Sequence, residues 1–228
     1  MTILIATGLR REARIMARAG VTAIAGGGDG ARLERMLEDA VAAGGVRAIL
    51  SSGLAGALDP ALAPGDIVIG EEGDARLVAA LRHALPDAAV GRVIGGDVMV
   101  ASIEAKRALH RDTGAIAVEM EGHVAARVAA RHGLPFATLR AVSDAADHAL
   151  PPAALAGMRP DGGMAVGPVL ASLIRRPGQL PALIRTGRDA ERGFRALLRR
   201  HRVLGVVDLV QHALDMPRED EFGGPLLG

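Results

Sequence analysis

The sequence predicts an α/β fold: a mixed, largely parallel central sheet flanked by helices, with a helical C-terminal extension. Three observations carry that expectation. Short apolar runs of strand length alternate with helix-patterned stretches up to Val142. Turns rich in glycine separate them. Half of the 228 residues are hydrophobic, enough for one sizeable core, although that core holds three Phe and no Trp or Tyr.

In chain order, Thr2–Ala6 reads as a buried strand, turned by Thr7-Gly8 into a helix over Leu9–Ala19 that carries Arg10, Arg11, Glu12 and Arg14. Val21–Ala25 is a second strand and Gly26–Gly30 a glycine-rich turn. Ala31–Ala43 is a helix, with Leu33, Met36, Leu37 and Val41 at helical spacing. Val46–Leu50 is a third strand running into Ser51–Ala57, and Ile67–Ile69 a fourth, introduced by Pro64-Gly65-Asp66. Asp74–Ala84 is helical, Val90–Ile94 a strand, and Ser102–His110 a helix with Ser102 as its N-cap. Ala115–Val118, Glu121–His132 and Phe136–Val142 complete a strand–helix–strand unit. Beyond Asp147 the texture changes. Residues 159–202 hold ten arginines against Asp161, Asp189 and Glu191, interleaved with Leu and Ile. The expected organisation is a core over 1–150, a basic, apolar helical extension of the same domain over 151–216, and a flexible tail over 217–228.

Composition narrows the function. With 27 Lys+Arg against 26 Asp+Glu, no nucleic-acid partner is implied, and without cysteine a thiol nucleophile or a Cys-based zinc site is excluded. The N-terminal apolar run lacks a basic stretch before it, so it does not read as a signal peptide. No apolar run approaches the roughly 18 residues of a spanning helix. A cytoplasmic location is expected, with a peripheral position at the inner membrane surface left open by the arginine-rich segment.

Several patterns invite a chemical reading. Gly26-Gly27-Gly28-Asp29-Gly30-Ala31 fits G-x-G-x-x-A, but it follows the second strand and no acid ends the next one, so a plain turn fits better than a dinucleotide site. Asp144, Asp147 and His148 lie close enough for a metal, yet a polar loop after a strand accounts for them, and no metal is expected. A Ser52–His123–Asp144 triad lacks the G-x-S-x-G elbow. Three carboxylates carry more weight: Glu12 past the first strand, Glu121 opening a helix, and Asp144 ending a strand. In a parallel sheet they share one edge with Ser52-Gly53. A helix N-terminus favours an ionised Glu121. Carboxylates around one cleft suit glycosidic cleavage through an oxocarbenium-like transition state: an acid for the leaving group, a base for water, an anion for sugar hydroxyls. Solvated surface acids are the bland alternative. Alternation along the junction points Glu119 away from Glu121.

At these residues the sequence resembles the purine nucleoside phosphorylase / methylthioadenosine–adenosylhomocysteine nucleosidase family. The likeness rests on Gly8–Glu12, Ser52–Leu58 with Pro64–Val68, Val118-Glu119-Met120-Glu121, and Arg140–Asp144 with Ala146-Asp147. It implies a nucleoside phosphorylase-like fold and N-glycosidic cleavage. It implies that Asp144 protonates or hydrogen-bonds N7 of the leaving purine with Ser143 in support, and that Glu121 binds ribose hydroxyls. Met120 would pack on the ribose, Met99 would stand where the family stacks a Phe on the base, and Glu12 would activate water. Ser52 and Gly53 would belong to a substrate-binding loop that meets phosphate or the attacking water. Leu54 stands where the family usually has Ser, and Ser51 where bacterial hexameric phosphorylases carry a phosphate-binding Arg. Both departures weaken a phosphate site there, and the retained Glu12 favours water as nucleophile, with Arg10 or Arg11 left as candidates to serve an anion. No cofactor is expected, and phosphate remains a candidate co-substrate. The arginine-rich, proline-broken segment after Asp147 resembles the hopanoid-biosynthesis-associated branch. That implies adenine release from adenosylhopane, a lipid nucleoside, with membrane contact through basic amphipathic helices. Helices that simply cover the sheet, arginines outward, are the alternative. The family also implies a homodimer. Two other readings stay open: a methylthioadenosine/adenosylhomocysteine nucleosidase, and a non-catalytic purine- or dinucleotide-binding module using Gly26–Gly30.

Overall fold

A computed structural model of the chain describes residues 2–215 except Met158 and Pro160; the tail expected over 217–228 lies outside the described residues. An eight-stranded mixed sheet organises it. The strands are β1 (Thr2–Thr7), β2 (Val21–Ala25), β3 (Val46–Ala57), β4 (Ile67–Gly70), β5 (Ala89–Gly91), β6 (Val93–Gly95), β7 (Ala117–Glu119) and β8 (Phe136–Asp144). The main path runs β2-β1-β3-β8-β4-β5, with β7 joined to β3 and β6 to β7. Most neighbours are parallel, but β4 runs antiparallel to β8, and β7 antiparallel to β3. The helices are α1 (Arg10–Met16), α2 (Gly30–Ala42), α3 (Ala75–Ala84), α4 (Ile103–Thr113), α5 (Gly122–Arg131), α6 (Pro152–Ala156), α7 (Val166–Arg175), α8 (Leu180–Leu204) and α9 (Val206–Asp215).

Helices α2, α3 and α4 start where the sequence supplies an acceptor, and α2, α3, α5 and α8 dock through apolar residues. Asp29 caps α2 by accepting from Arg32 N at 2.9 Å, Asp74 caps α3, and Ser102 caps α4 through Ala105 N at 3.1 Å. Leu33 and Leu37 of α2 and Val124, Ala125 and Val128 of α5 are buried against Leu4, Ala6 and Ile49. Each large side chain buried this way contributes about 1.5–3 kcal/mol. On the opposite face Ile3, Ile5, Leu50 and Leu139 pack with Leu77 and Leu81 of α3 and Leu197 of α8.

Two elements differ from the expectation in ways that matter. Strand β3 does not stop at Leu50; it runs twelve residues and carries Ser52 and Gly53 inside the sheet. The single strand expected over Val90–Ile94 is two strands, β5 on β4 and β6 on β7, since Arg92 separates the two pairings. The extension also divides. The C-terminal half of α8 lies on the core with Asp189, Phe194, Leu197 and His201 buried, and its arginines at 188, 192, 195 and 199 are exposed. Gly193 makes that contact close, because a Cβ there would sit 2.8 Å from Leu54 and 2.9 Å from the Val142 carbonyl. Helix α7 buries no residue at all.

Candidate active site

The three carboxylates do meet, but not along one parallel edge. Strand β7 runs antiparallel to β3, pairing Val118 with Gly56. The chain leaving β7 therefore travels back along β3, and Glu119, Met120 and Glu121 arrive beside Leu54. Glu12 reaches the same place from the first turn of α1. Its Oε2 accepts from Gly8 N at 2.8 Å and Leu9 N at 2.7 Å, and its Oε1 accepts from Leu54 N at 2.8 Å. Asp144 comes from β8. A cavity of about 220 Å³ opens between them, with Met99, Met120, Ser143 and Leu150 also in its wall.

At one end of this cavity Arg140, fully buried in the middle of β8, faces three carboxylates. It pairs with Glu119, donates to Glu121 Oε2 at 3.3 Å and to Ser51 Oγ, and lies close enough to Glu12 to act on its charge. One cation cannot balance three buried anions. Burial pushes the Glu121 carboxyl up to about 8, against the pull of Arg140 and with the push of Glu119 and Glu12. Burial also raises Glu12, against its three amide donors and Arg140. A helix N-terminus was expected to keep Glu121 ionised; instead Glu119 takes that place. Its carboxylate accepts from Glu121 N at 2.9 Å and Gly122 N at 2.7 Å, the first amides of α5. Glu119 does not point away from the site: it meets Glu121 at Arg140 and lines the cavity.

At the other end Ser143 Oγ donates to Asp144 Oδ1 at 2.7 Å. Asp144 Oδ2 pairs with Lys106 of α4, whose side chain is completely buried. Lys106 Nζ also donates to the carbonyls of Ala145 at 2.8 Å and His148 at 3.0 Å.

Ser52 and Gly53 are placed elsewhere. Neither lines the cavity. Ser52 is buried with its Oγ 3.3 Å from His201 Nε2, and Gly53 leaves room for its neighbours, since a Cβ there would stand 2.8 Å from the Glu12 carboxyl carbon. Both Ser52 and Leu54 lie on the face of β3 that meets α8, but only Leu54, two residues further along the strand, reaches the cavity wall. The glycine-rich turn sits at the cavity rim, where Gly28 meets Met120. Its Gly26 and Gly27 amides bond the Thr7 and Gly8 carbonyls, so they do not face outward for a pyrophosphate. Among the described residues no group of His, Asp and Glu is arranged to hold a metal ion.

Two residues escaped the sequence reading. Lys106 was not singled out, although it lies on the Ile103–Leu109–His110 stripe, which turns inward. Arg140 was seen but given no role, although a charge within the apolar run Phe136–Val142 demands a buried partner.

The fold and the cleft define a class before any relative is consulted: an α/β protein whose central sheet delivers several carboxylates into one apolar pocket. The comparisons agree with it. The Phosphorylase superfamily matches residues 71–158. The 5'-methylthioadenosine/S-adenosylhomocysteine nucleosidase of Treponema pallidum (strain Nichols) is 43% identical over 56 residues; the match covers 25% of this chain and spans only 21% of that protein's length. The S-adenosylhomocysteine nucleosidase of Streptococcus pyogenes, solved with 5-methylthiotubericidin, superposes with a TM-score of 0.62 at 18% identity, covering 88% of this chain and 95% of that one. A futalosine hydrolase of Helicobacter pylori strain 26695 superposes with a TM-score of 0.55 at 21% identity, covering 62% and 89%. These likenesses establish the nucleoside phosphorylase/nucleosidase fold.

Proposed function

We propose that this chain cleaves the N-glycosidic bond of an adenosyl nucleoside and releases adenine, with water as the nucleophile. The observation that carries the reading is the convergence of Glu12, Glu121 and Asp144 on one cavity of about 220 Å³ whose remaining wall is largely apolar. Asp144, oriented by Ser143, serves N7 of the departing base. Glu121 holds the ribose hydroxyls, Met120 packs against the sugar, and Met99 covers the base. Glu12 takes a proton from water. A carboxyl raised toward neutrality by burial is a better base for that step than a solvated one. Water is preferred over phosphate because the nearby cations are engaged: Arg140 by the carboxylates, Arg10 by Asp161 and Arg11 by Glu191.

The finer reading concerns the 5' substituent. The cavity wall includes Val98 and Met164, which are 78% and 60% exposed. Met164 leads into α7, whose Val166, Leu170 and Ile174 are exposed and followed by Arg175 and Arg176. An apolar rim beside a basic stretch suits a lipid-linked nucleoside such as adenosylhopane, taken at an anionic membrane surface, and supports a place in hopanoid biosynthesis. Among the described residues no helix is long and apolar enough to cross a membrane. A homodimer is part of the same proposal. A second reading, a methylthioadenosine/adenosylhomocysteine nucleosidase, is favoured by the Treponema match.

The test is adenine release from adenosylhopane against methylthioadenosine, with and without phosphate, identifying ribose or ribose 1-phosphate as product. Asp144→Asn should abolish turnover with the fold intact. Unchanged turnover in that variant overturns the mechanism. Flotation with anionic liposomes and the mass in solution decide the membrane and dimer proposals.

A further inference from the structure

Lys106 is the one lysine of the sequence, and its side chain is wholly buried with three acceptors around Nζ: Asp144 Oδ2 and the carbonyls of Ala145 and His148. An ammonium has three protons to give, and each has an acceptor. Asp144 in turn has both oxygens engaged, Oδ1 by Ser143 and Oδ2 by Lys106. Lys106 Nζ and Ser143 Oγ are thus the two side-chain donors on this carboxyl, one to each oxygen. A carboxyl that gives a proton to a leaving base must draw another from a neighbouring donor, and the buried ammonium is in direct contact with it.

We infer that Lys106 is the residue that supplies this proton, relaying it through Asp144 to the base as the glycosidic bond breaks. The inference rests on the reading of Asp144 as the group that faces N7. In the step, the C1'–N9 bond breaks and its electron pair goes to the purine. N7 takes a proton from Asp144, Asp144 takes one from Nζ, and Lys106 is left as the neutral amine. Water adds to C1' and gives a proton to Glu12. That proton returns through the water of the cavity to Asp144, which lines it, and from Asp144 to Lys106, so the cycle closes with no other reactant. Lys106 acts through Asp144 and is a positioning and proton-supplying residue. The other titratable groups nearby are His148, with its ring 3.7 Å from Asp147 and 3.6 Å from Asp189, and Arg192, paired with Asp189 at 2.9 Å. Their contacts are with one another and not with Asp144.

The decisive variant is Lys106→Arg. A guanidinium keeps the positive charge but does not give up its proton. If Lys106 only pairs with Asp144, Arg replaces it; if it relays a proton, Arg does not. The relay predicts that folded Lys106→Arg loses about 100-fold in kcat for adenine release, the scale of a general-acid contribution, with KM changed less than about threefold. Lys106→Ala should lose as much and regain about tenfold in kcat with added methylamine, which occupies the vacated position as an ammonium. Thermal melts and circular dichroism establish folding. Full activity in Lys106→Arg, or no methylamine response in folded Lys106→Ala, overturns the relay. Failure of both variants to fold assigns Lys106 a purely structural role and overturns it too. No adenine from the native chain with either nucleoside refutes the nucleosidase reading itself, before Lys106 is in question.

Discussion

The two ends of the cleft handle charge in opposite ways. At the Asp144 end one cation meets one carboxylate, and every polar proton of that cation has an acceptor. At the Arg140 end one cation meets three carboxylates, and Glu121 is pushed up to about 8. In the first, acceptors surround a single cation; in the second, burial and two neighbouring carboxylates raise Glu121 against a single cation. Both ends are buried, and they differ in the ratio of cations to anions. A neutral Glu121 can donate as well as accept a hydrogen bond, which suits sugar hydroxyls, while a raised Glu12 is suited to receive a proton.

The largest way to break this contrast is Arg140→Met. It leaves Glu119, Glu121 and Glu12 buried without their cation and should cost about 3–5 kcal/mol, read by urea denaturation. A loss below about 1 kcal/mol would mean that protons, not Arg140, neutralise the cluster. Next, Glu12→Gln should lower kcat by about 100-fold or more, since the amide cannot take the proton of water, with little change in KM. Comparable loss in Lys106→Arg and Glu12→Gln would place proton donation and acceptance on an equal footing at the two ends.

A smaller effect is the pH dependence of stability. Between pH 4.5 and about 8 the folded chain keeps a proton on Glu121 that the unfolded chain has released. Stability from this group is therefore fully present below pH 4.5 and falls as pH rises toward 8, by at most about 1.4 kcal/mol per pH unit. Glu121→Gln should flatten that decline in melts across the window; a wild-type melting temperature rising steadily from pH 5 to about 8 would contradict it. The smallest effect is expected at Ser52, whose hydroxyl faces buried His201 and not the cleft. Ser52→Ala should leave turnover within about twofold and cost about 1 kcal/mol for the lost hydrogen bond.

Much of the sheet and most helix starts were legible in the sequence, because periodicity and caps are local: Asp29, Asp74 and Ser102 each cap the helix they precede. Carboxylates at strand and helix ends also marked Glu12, Glu121 and Asp144 as a set. The wrong part was the reason for their meeting. It assumed a parallel edge, whereas β7 is antiparallel to β3, and strand direction is settled by long-range pairing. Ser52 was misplaced because β3 continues past Leu50, so a residue expected in a loop lies within the sheet.

By itself, then, the sequence determined the α/β class, the element order and the acids that end those elements, since all three follow from side-chain type and spacing along the chain. Tertiary structure alone decided which cation each acid meets. That depends on where Arg140 and Lys106 come to rest, 19 residues from Glu121 in one case and 38 from Asp144 in the other. Charge balance in a buried site is set by distance in space, which no local pattern encodes.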